Sequence, residues 1–405
     1  MRKTWLTFGV VVATACVSPD PAPLFDSEVA TSLDEVLRAA VENGDVPGIV
    51  AVVTSRDSIL YRAAFGVMDA AGEEPMRPDA MFFIASMTKP ITSLGIMMLV
   101  DEGTVALDDP ASNYLPELAN RQVMVGVDAG DSTVLTRPAA RPITVRDLLR
   151  HTAGFGYTFS SHELLEWTQV TGLPDLEQPL LHDPGDRWTY GSNTYFIGRI
   201  IEEVSGGSLP QFLESRILAP LGMTDTSFDL ADENVDRLVA RYLRRNGGLL
   251  GLPPAQPYQP QIRGDYGLLS TADDYARFIR LILGNGETAG VRLLSSQSVA
   301  VMTRDHLEGM TVTEQPGAIP ATSSAFPLGA GQDGFGLGFQ VTAESSVGGR
   351  ALGSLSWAGL YNTHFWIDPD NGIGVVLLTQ VLPFYDDGVI SLLTTFESTL
   401  YDHLQ

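Results

Sequence analysis

"FFIASMTKPITSLG", residues 82–95, places Ser86 three residues before Lys89. The chain has one other lysine, Lys3, and carries the rest of its fixed positive charge on arginine. The flanking residues predict a helix over 86–102: Ile91, Leu94, Met98 and Leu99 recur on one face, and Gly103 follows its end. Ser86 suits the N-cap, and Pro90 falls in the first turn, where a missing N–H costs little. Residues i and i+3 share a helix face, so the two side chains can meet. A serine hydroxyl becomes nucleophilic when a neighbouring base takes its proton. A lysine serves as that base when burial and the positive end of a helix favour its neutral form. The free N–H groups of a helix start can also hold an oxyanion. The plainer reading of the same residues is a surface lysine on a capped helix, and only further parts displace it.

Two further parts follow in the chain. In "GDRWTYGSNTYFIGRIIEEVSGGS", residues 185–208, Tyr190 and Ser192 stand just before a helix whose Ile197, Ile200 and Ile201 face inward. A tyrosine beside a lysine can pass a proton to a leaving group. In "GSLSWAGLYNTHFWIDP", residues 353–369, Trp357, Ala358 and Gly359 open a strand, and small residues there let a substrate approach the backbone.

S-x-x-K, then Y-x-S, then a strand triad ending in glycine resembles the signature of the serine β-lactamase and penicillin-binding-protein superfamily. "LDDPASNYLPEL" (107–118) and "ITVRDLLRHTAGF" (143–155) fit it too, and the likeness runs over roughly residues 30–400. Within the superfamily the chain is most similar to the class C-like branch, and there to the family VIII carboxylesterases. The resemblance implies an α/β (α+β) fold, a β-lactamase-like antiparallel sheet flanked by helices with an inserted all-helical lobe. It implies Ser86 as acyl-forming nucleophile, Lys89 and Tyr190 as the proton-handling pair, and the N–H groups of Ser86 and Leu360 as oxyanion hole. Ser192, Trp357 and Gly359 fall at substrate-binding positions. It implies no cofactor and no metal.

The departures shape the substrate expectation. β-Lactamases carry a lysine where Trp357 stands, offering a cation to a substrate carboxylate. Tryptophan supplies only apolar contact and an indole N–H. That favours a neutral acyl group, hence an ester, over a β-lactam or a D-amino-acid peptide. Asn362 and His364 stand where esterase relatives often have glycine and tyrosine, which predicts a reshaped pocket edge. His151, in "LLRHTAGF", reads as part of a structural turn. The function read from the sequence is a serine hydrolase, a carboxylesterase on short to medium acyl esters. The alternatives are a β-lactamase or D-amino-acid peptidase, an acyltransferase, and a non-catalytic binding protein of the same fold.

Other chemistries lack their residues. No serine has glycine at both −2 and +2, as the nucleophile elbow of α/β-hydrolases requires. The six histidines show no metal spacing, and no phosphate loop is present. A net charge of −24 excludes a nucleic-acid surface as the default. The expected partner is a small-molecule ester or amide, with no obligate protein partner.

The ends of the chain complete the reading. Arg2 and Lys3 precede a short apolar run and the small residues Ala13, Thr14 and Ala15, as in a secretory signal over 1–15. Cys16, the only cysteine, follows at a site resembling lipoprotein cleavage, which predicts a lipidated residue and possible membrane attachment. Export to the periplasm or outer membrane of a bacterium, or secretion, is the expected location. Cleavage there would leave Lys89 as the sole lysine and a charge of −26. Residues 16–28 read as a proline-rich tether and 29–405 as the hydrolase domain. Its α/β lobe is expected at about 29–105 and 265–405, with a helical lobe at about 106–264. Ser32 and Glu35 predict a capping box opening the first helix. Strands near both termini predict one sheet built from the two ends.

Overall fold

The computed structural model describes Phe25 and residues 27–128, 133–252, 258–344 and 348–404. The proposed signal, the lipidation candidate Cys16 and most of the proposed tether lie outside the described residues. Gly48–Ser55 (β1) is buried at every position but its last, as a continuous apolar run requires of a strand covered on both faces. It pairs antiparallel with Ile59–Gly66 (β2) on one side and with Ile373–Leu378 on the other. The seven-stranded sheet runs in the order Gly334–Phe335, Gln340–Val341, Leu355–Gly359, Thr363–Asp368, Ile373–Leu378, β1, β2. Both chain ends therefore build one sheet, as the sequence predicts.

One face of this sheet is covered by the helix Ser27–Glu42 (α1) and the closing helix Asp387–Asp402, whose Leu33, Leu37 and Phe396 form one core with Val53 and Trp366 of the sheet. The opposite face meets Ala272–Leu283, whose Phe278 and Ile279 join Val52, Phe365 and Val376 in the main core. The helix Thr88–Asp101 (α2) lies within that core and is buried from Thr88 through Leu99. Such a helix shows little amphipathic contrast and is held by packing on all sides.

Three sequence expectations change. The first helix starts at Ser27 and not at Ser32, because the stripe Leu33–Leu37–Ala40 continues back to Val29. Ser27 and Glu28, expected in the tether, are helical, and Phe25 packs against the same core. The segment expected to be helix and loop also holds two hairpins, Gln122–Asp128 with Thr133–Pro138 and Arg241–Arg245 with Gly248–Leu252. Neither shows a clean apolar alternation: Val125 and Leu135 are exposed, and the first strand of the second hairpin reads "RYLRR". Among the described residues no helix is long and apolar enough to cross a membrane.

Candidate active site

Ser86 stands in a short 3₁₀ turn, Ala85–Met87, and α2 begins two residues later at Thr88. This corrects the expected capping role: Met87 occupies the N-cap and no side chain caps the helix. The Ser86 hydroxyl is instead within 3.1 Å of Lys89 Nζ. Ala85, immediately before it, has φ of +43°, a conformation that costs a non-glycine residue roughly 1–3 kcal/mol and is held by its surroundings. The turn thus lifts a half-exposed hydroxyl over the start of a buried helix.

Lys89 is 2 % exposed, and Nζ donates to three oxygens. They are Ser86 Oγ, Tyr157 Oη at 3.1 Å and the Asp265 carbonyl oxygen at 2.8 Å. Tyr157 in turn donates its own proton to Asp265 Oδ2 at 2.6 Å, and Arg263 grips the same carboxylate through two nitrogens at 2.8 and 2.9 Å. The Asp265 carbonyl and the Tyr157 oxygen are therefore fixed acceptors. A neutral Lys89 keeps its two N–H bonds on them and turns its lone pair to Ser86. Burial pulls Lys89 down to about 7, the Asp265 carboxylate opposes the shift, and the Arg263 guanidinium adds to it.

Tyr190 is 2 % exposed. Its ring packs on Trp357 at 4.8 Å, His151 at 5.0 Å and Tyr157 at 5.4 Å between centroids. The Trp357 indole N–H donates to the Tyr190 oxygen at 3.2 Å. Burial pushes the phenol up, while hydrogen bonds with Ser86 and Trp357 pull the other way, so Tyr190 holds its proton at neutral pH. The two tyrosines meet because Gly191 lies against Phe155 and Gly156: a Cβ there would stand 2.3 Å from the Phe155 carbonyl oxygen.

Gly359 closes the site in the same manner. A Cβ on it would fall 2.3 Å from both the Ile84 carbonyl oxygen and Thr363 Oγ1, so the strand end can approach the turn that carries Ser86 only as glycine. This approach brings Leu360, next along the chain, to the edge of the turn that carries Ser86. Gly359→Ala is expected to separate strand and turn, lowering kcat/KM at least tenfold and destabilising the fold by about 1–3 kcal/mol. Steady-state kinetics and urea denaturation check both effects.

Ser192 is fully buried and its hydroxyl has no partner among the described residues; no hydrogen bond joins it to Ser86, Lys89 or Tyr190. Asn362 and His364 are both buried. Asn362 takes the left-handed conformation and ties its turn to the carbonyls of Val381 and Pro383 at 2.9 and 2.7 Å. His364 pairs across the strands with Ala358 and lines a cavity of about 250 Å³ together with Trp357, Phe326 and Tyr385. His151 is buried and accepts from Asn193 at 2.9 Å.

Tyr157, Asp265 and Arg263 escaped the sequence reading. They reach Lys89 across separations of 68 and 176 residues, and nothing local in "GFGYTF" or "RGDYG" marks them.

Comparison with known proteins identifies the family. The Beta-lactamase family model matches residues 33–391. The chain is 35% identical over 369 residues to Protein Rv1367c of Mycobacterium tuberculosis, covering 86% of this chain and 89% of that protein. It is 30% identical over 404 residues to the lovastatin esterase of Penicillium rubens, covering 91% and 98%. Its structure superposes on a simvastatin synthase (LovD) variant from Aspergillus terreus with a TM-score of 0.82, at 25% identity, over 94% of this chain and 96% of that one. The Ser86 turn, the buried Lys89 and the strand drawn up against the turn are thus found in a chain that belongs to the β-lactamase family and is one of its serine hydrolases.

Proposed function

We propose that the protein is a carboxylesterase working through an acyl-enzyme on Ser86, acting on esters whose leaving alcohol carries no carboxylate. The observation that carries this reading is the Trp357 indole N–H, bound to the Tyr190 oxygen, where β-lactamases hold a cation. In the first half-reaction Lys89 takes the Ser86 proton and Oγ adds to the ester carbonyl. The N–H groups of Ser86 and Leu360 hold the oxyanion. Tyr190 gives its proton to the departing alkoxide and regains one from Lys89. Water then adds to the acyl-enzyme, Lys89 takes its proton, and Ser86 leaves with a proton returned through the same pair.

The likeness to a lovastatin esterase supports ester chemistry, and the likeness to a simvastatin synthase supports a second reading in which an alcohol replaces water as acyl acceptor. Export is proposed on the N-terminal sequence alone.

The test is hydrolysis of a nitrophenyl acyl ester series and of a chromogenic cephalosporin, using the protein without residues 1–16. Ester turnover with little cephalosporin cleavage is the expected result. Efficient cephalosporin cleavage would overturn the role given to Trp357, and turnover of neither would overturn the esterase. Adding a primary alcohol separates the two readings: transfer diverts product to the new ester, hydrolysis does not.

A further inference from the structure

A second aromatic wall stands beside the nucleophile turn, and it carries a cation. Phe83, three residues before Ser86, meets Tyr361 at 6.0 Å and Tyr258 at 6.1 Å between ring centroids. The Arg241 guanidinium lies 5.1 Å from the Phe83 centroid and 5.8 Å from that of Tyr361, and donates to the Tyr361 hydroxyl at 3.2 Å. Arg241 makes no ion pair among the described residues, although acids outnumber lysines and arginines 49 to 25 in this chain. All four side chains are half-buried, so the wall is open to a ligand.

The backbone fixes this wall to the catalytic turn. Met81 and Val239 are joined by a bond of 2.9 Å, Tyr242 donates to Gln380 at 2.7 Å, and Val381 donates to Tyr361 at 3.0 Å. Tyr361 directly follows Leu360, the proposed oxyanion donor. No ring contact among the described residues links this wall to the cluster around Tyr190.

We infer that Arg241 recognises a carboxylate, or an equally strong acceptor, at the far end of the acyl group. The inference rests on the esterase reading and on its geometry. In the tetrahedral intermediate the oxyanion occupies the Ser86 and Leu360 N–H groups, and the leaving oxygen faces Tyr190. On this reading the acyl chain points away from Tyr190 and past Leu360, and the chain neighbours of Ser86 and Leu360 that it would then meet are Phe83 and Tyr361, which carry Arg241 between them. A guanidinium stacked on aromatic faces is held in place with N–H groups to spare, and those groups match a carboxylate fork. The substrate class is therefore a monoester of a dicarboxylic acid, or an acyl chain ending in a comparable polar group. This revises the neutral acyl group expected from Trp357: the cation is absent on the leaving-group side and present on the acyl side.

The test uses nitrophenyl monoesters of glutaric, adipic and suberic acids beside their methyl-capped counterparts, with wild type, Arg241→Gln and Arg241→Lys. Wild type is expected to prefer a free carboxylate by roughly 10- to 100-fold in kcat/KM at the best chain length. Arg241→Gln is expected to lose that ratio and Arg241→Lys to keep part of it. Calorimetric binding of the same monoesters to the Ser86→Ala protein supplies a reading that needs no turnover. Capped esters cleaved as well as free ones, with a ratio unchanged in Arg241→Gln, would overturn the inference and leave the esterase standing. If no ester is cleaved, the esterase falls, and equal binding of free and capped esters to the Ser86→Ala protein would overturn the inference as well. A change confined to melting temperature would show that Arg241 only packs between rings.

Discussion

Ser86→Ala is expected to lower ester turnover by a factor on the order of 10⁴ or more, with the fold intact. No other group in the site can take the place of Oγ: Lys89 is 2 % exposed and engaged with Tyr157 and Asp265, and Tyr190 keeps its proton. The structural cost is expected to be small. A serine at a helix N-cap would cost about 0.5–2 kcal/mol on replacement. Ser86 precedes that position, and its side chain bonds Lys89, which retains two other oxygens, and Tyr190, which retains the Trp357 N–H. Steady-state kinetics with a nitrophenyl ester, beside thermal denaturation of both proteins, makes the check. A Ser86→Ala protein that melts like wild type and still cleaves esters at a comparable rate would remove Ser86 as nucleophile.

The same comparison shows which features a sequence can carry. Ser86 and Lys89 were legible because three residues on a helical turn bring side chains together whatever else the chain does. The hairpin turning at Arg56 and Asp57 was legible from turn residues between apolar runs, and β1 and β2 flank it as expected. The cap at Ser32 was misread because a capping box is a local pattern, whereas the helix extends wherever its apolar stripe finds the core. That stripe runs back to Val29. Tyr157, Asp265 and Arg263 are a different case. Their meeting at Lys89 depends on how distant segments pack, and each residue alone reads as an ordinary tyrosine or ion pair. The sequence located the Ser86 and Lys89 pair, and packing supplied the groups that surround it.

Lys89 offers the sharpest test of that orientation, because its role requires a neutral amine in a buried site. Lys89→Arg is expected to lose at least 10³-fold in kcat/KM, since a guanidinium keeps its proton at any working pH and presents no lone pair to Ser86. In wild type the lysine is held at about 7 by burial. Protonated below that value, it cannot accept the Ser86 proton, so log kcat/KM should rise with unit slope through the acid range and level off above about 7. Stability gives an independent reading of the same group. An unfolded lysine titrates near 10.4, so between about 7 and that value the unfolded chain binds more protons than the folded one. Stability then rises with pH across this window, and Lys89→Met should remove that part of the slope. Lys89 is also the one lysine beyond residue 3, so selective ¹⁵N-lysine labelling of the protein without residues 1–16 yields a single side-chain amine to titrate. An amine that titrates near 10 while the activity limb stays near 7 would assign the limb to another group and take the base role from Lys89.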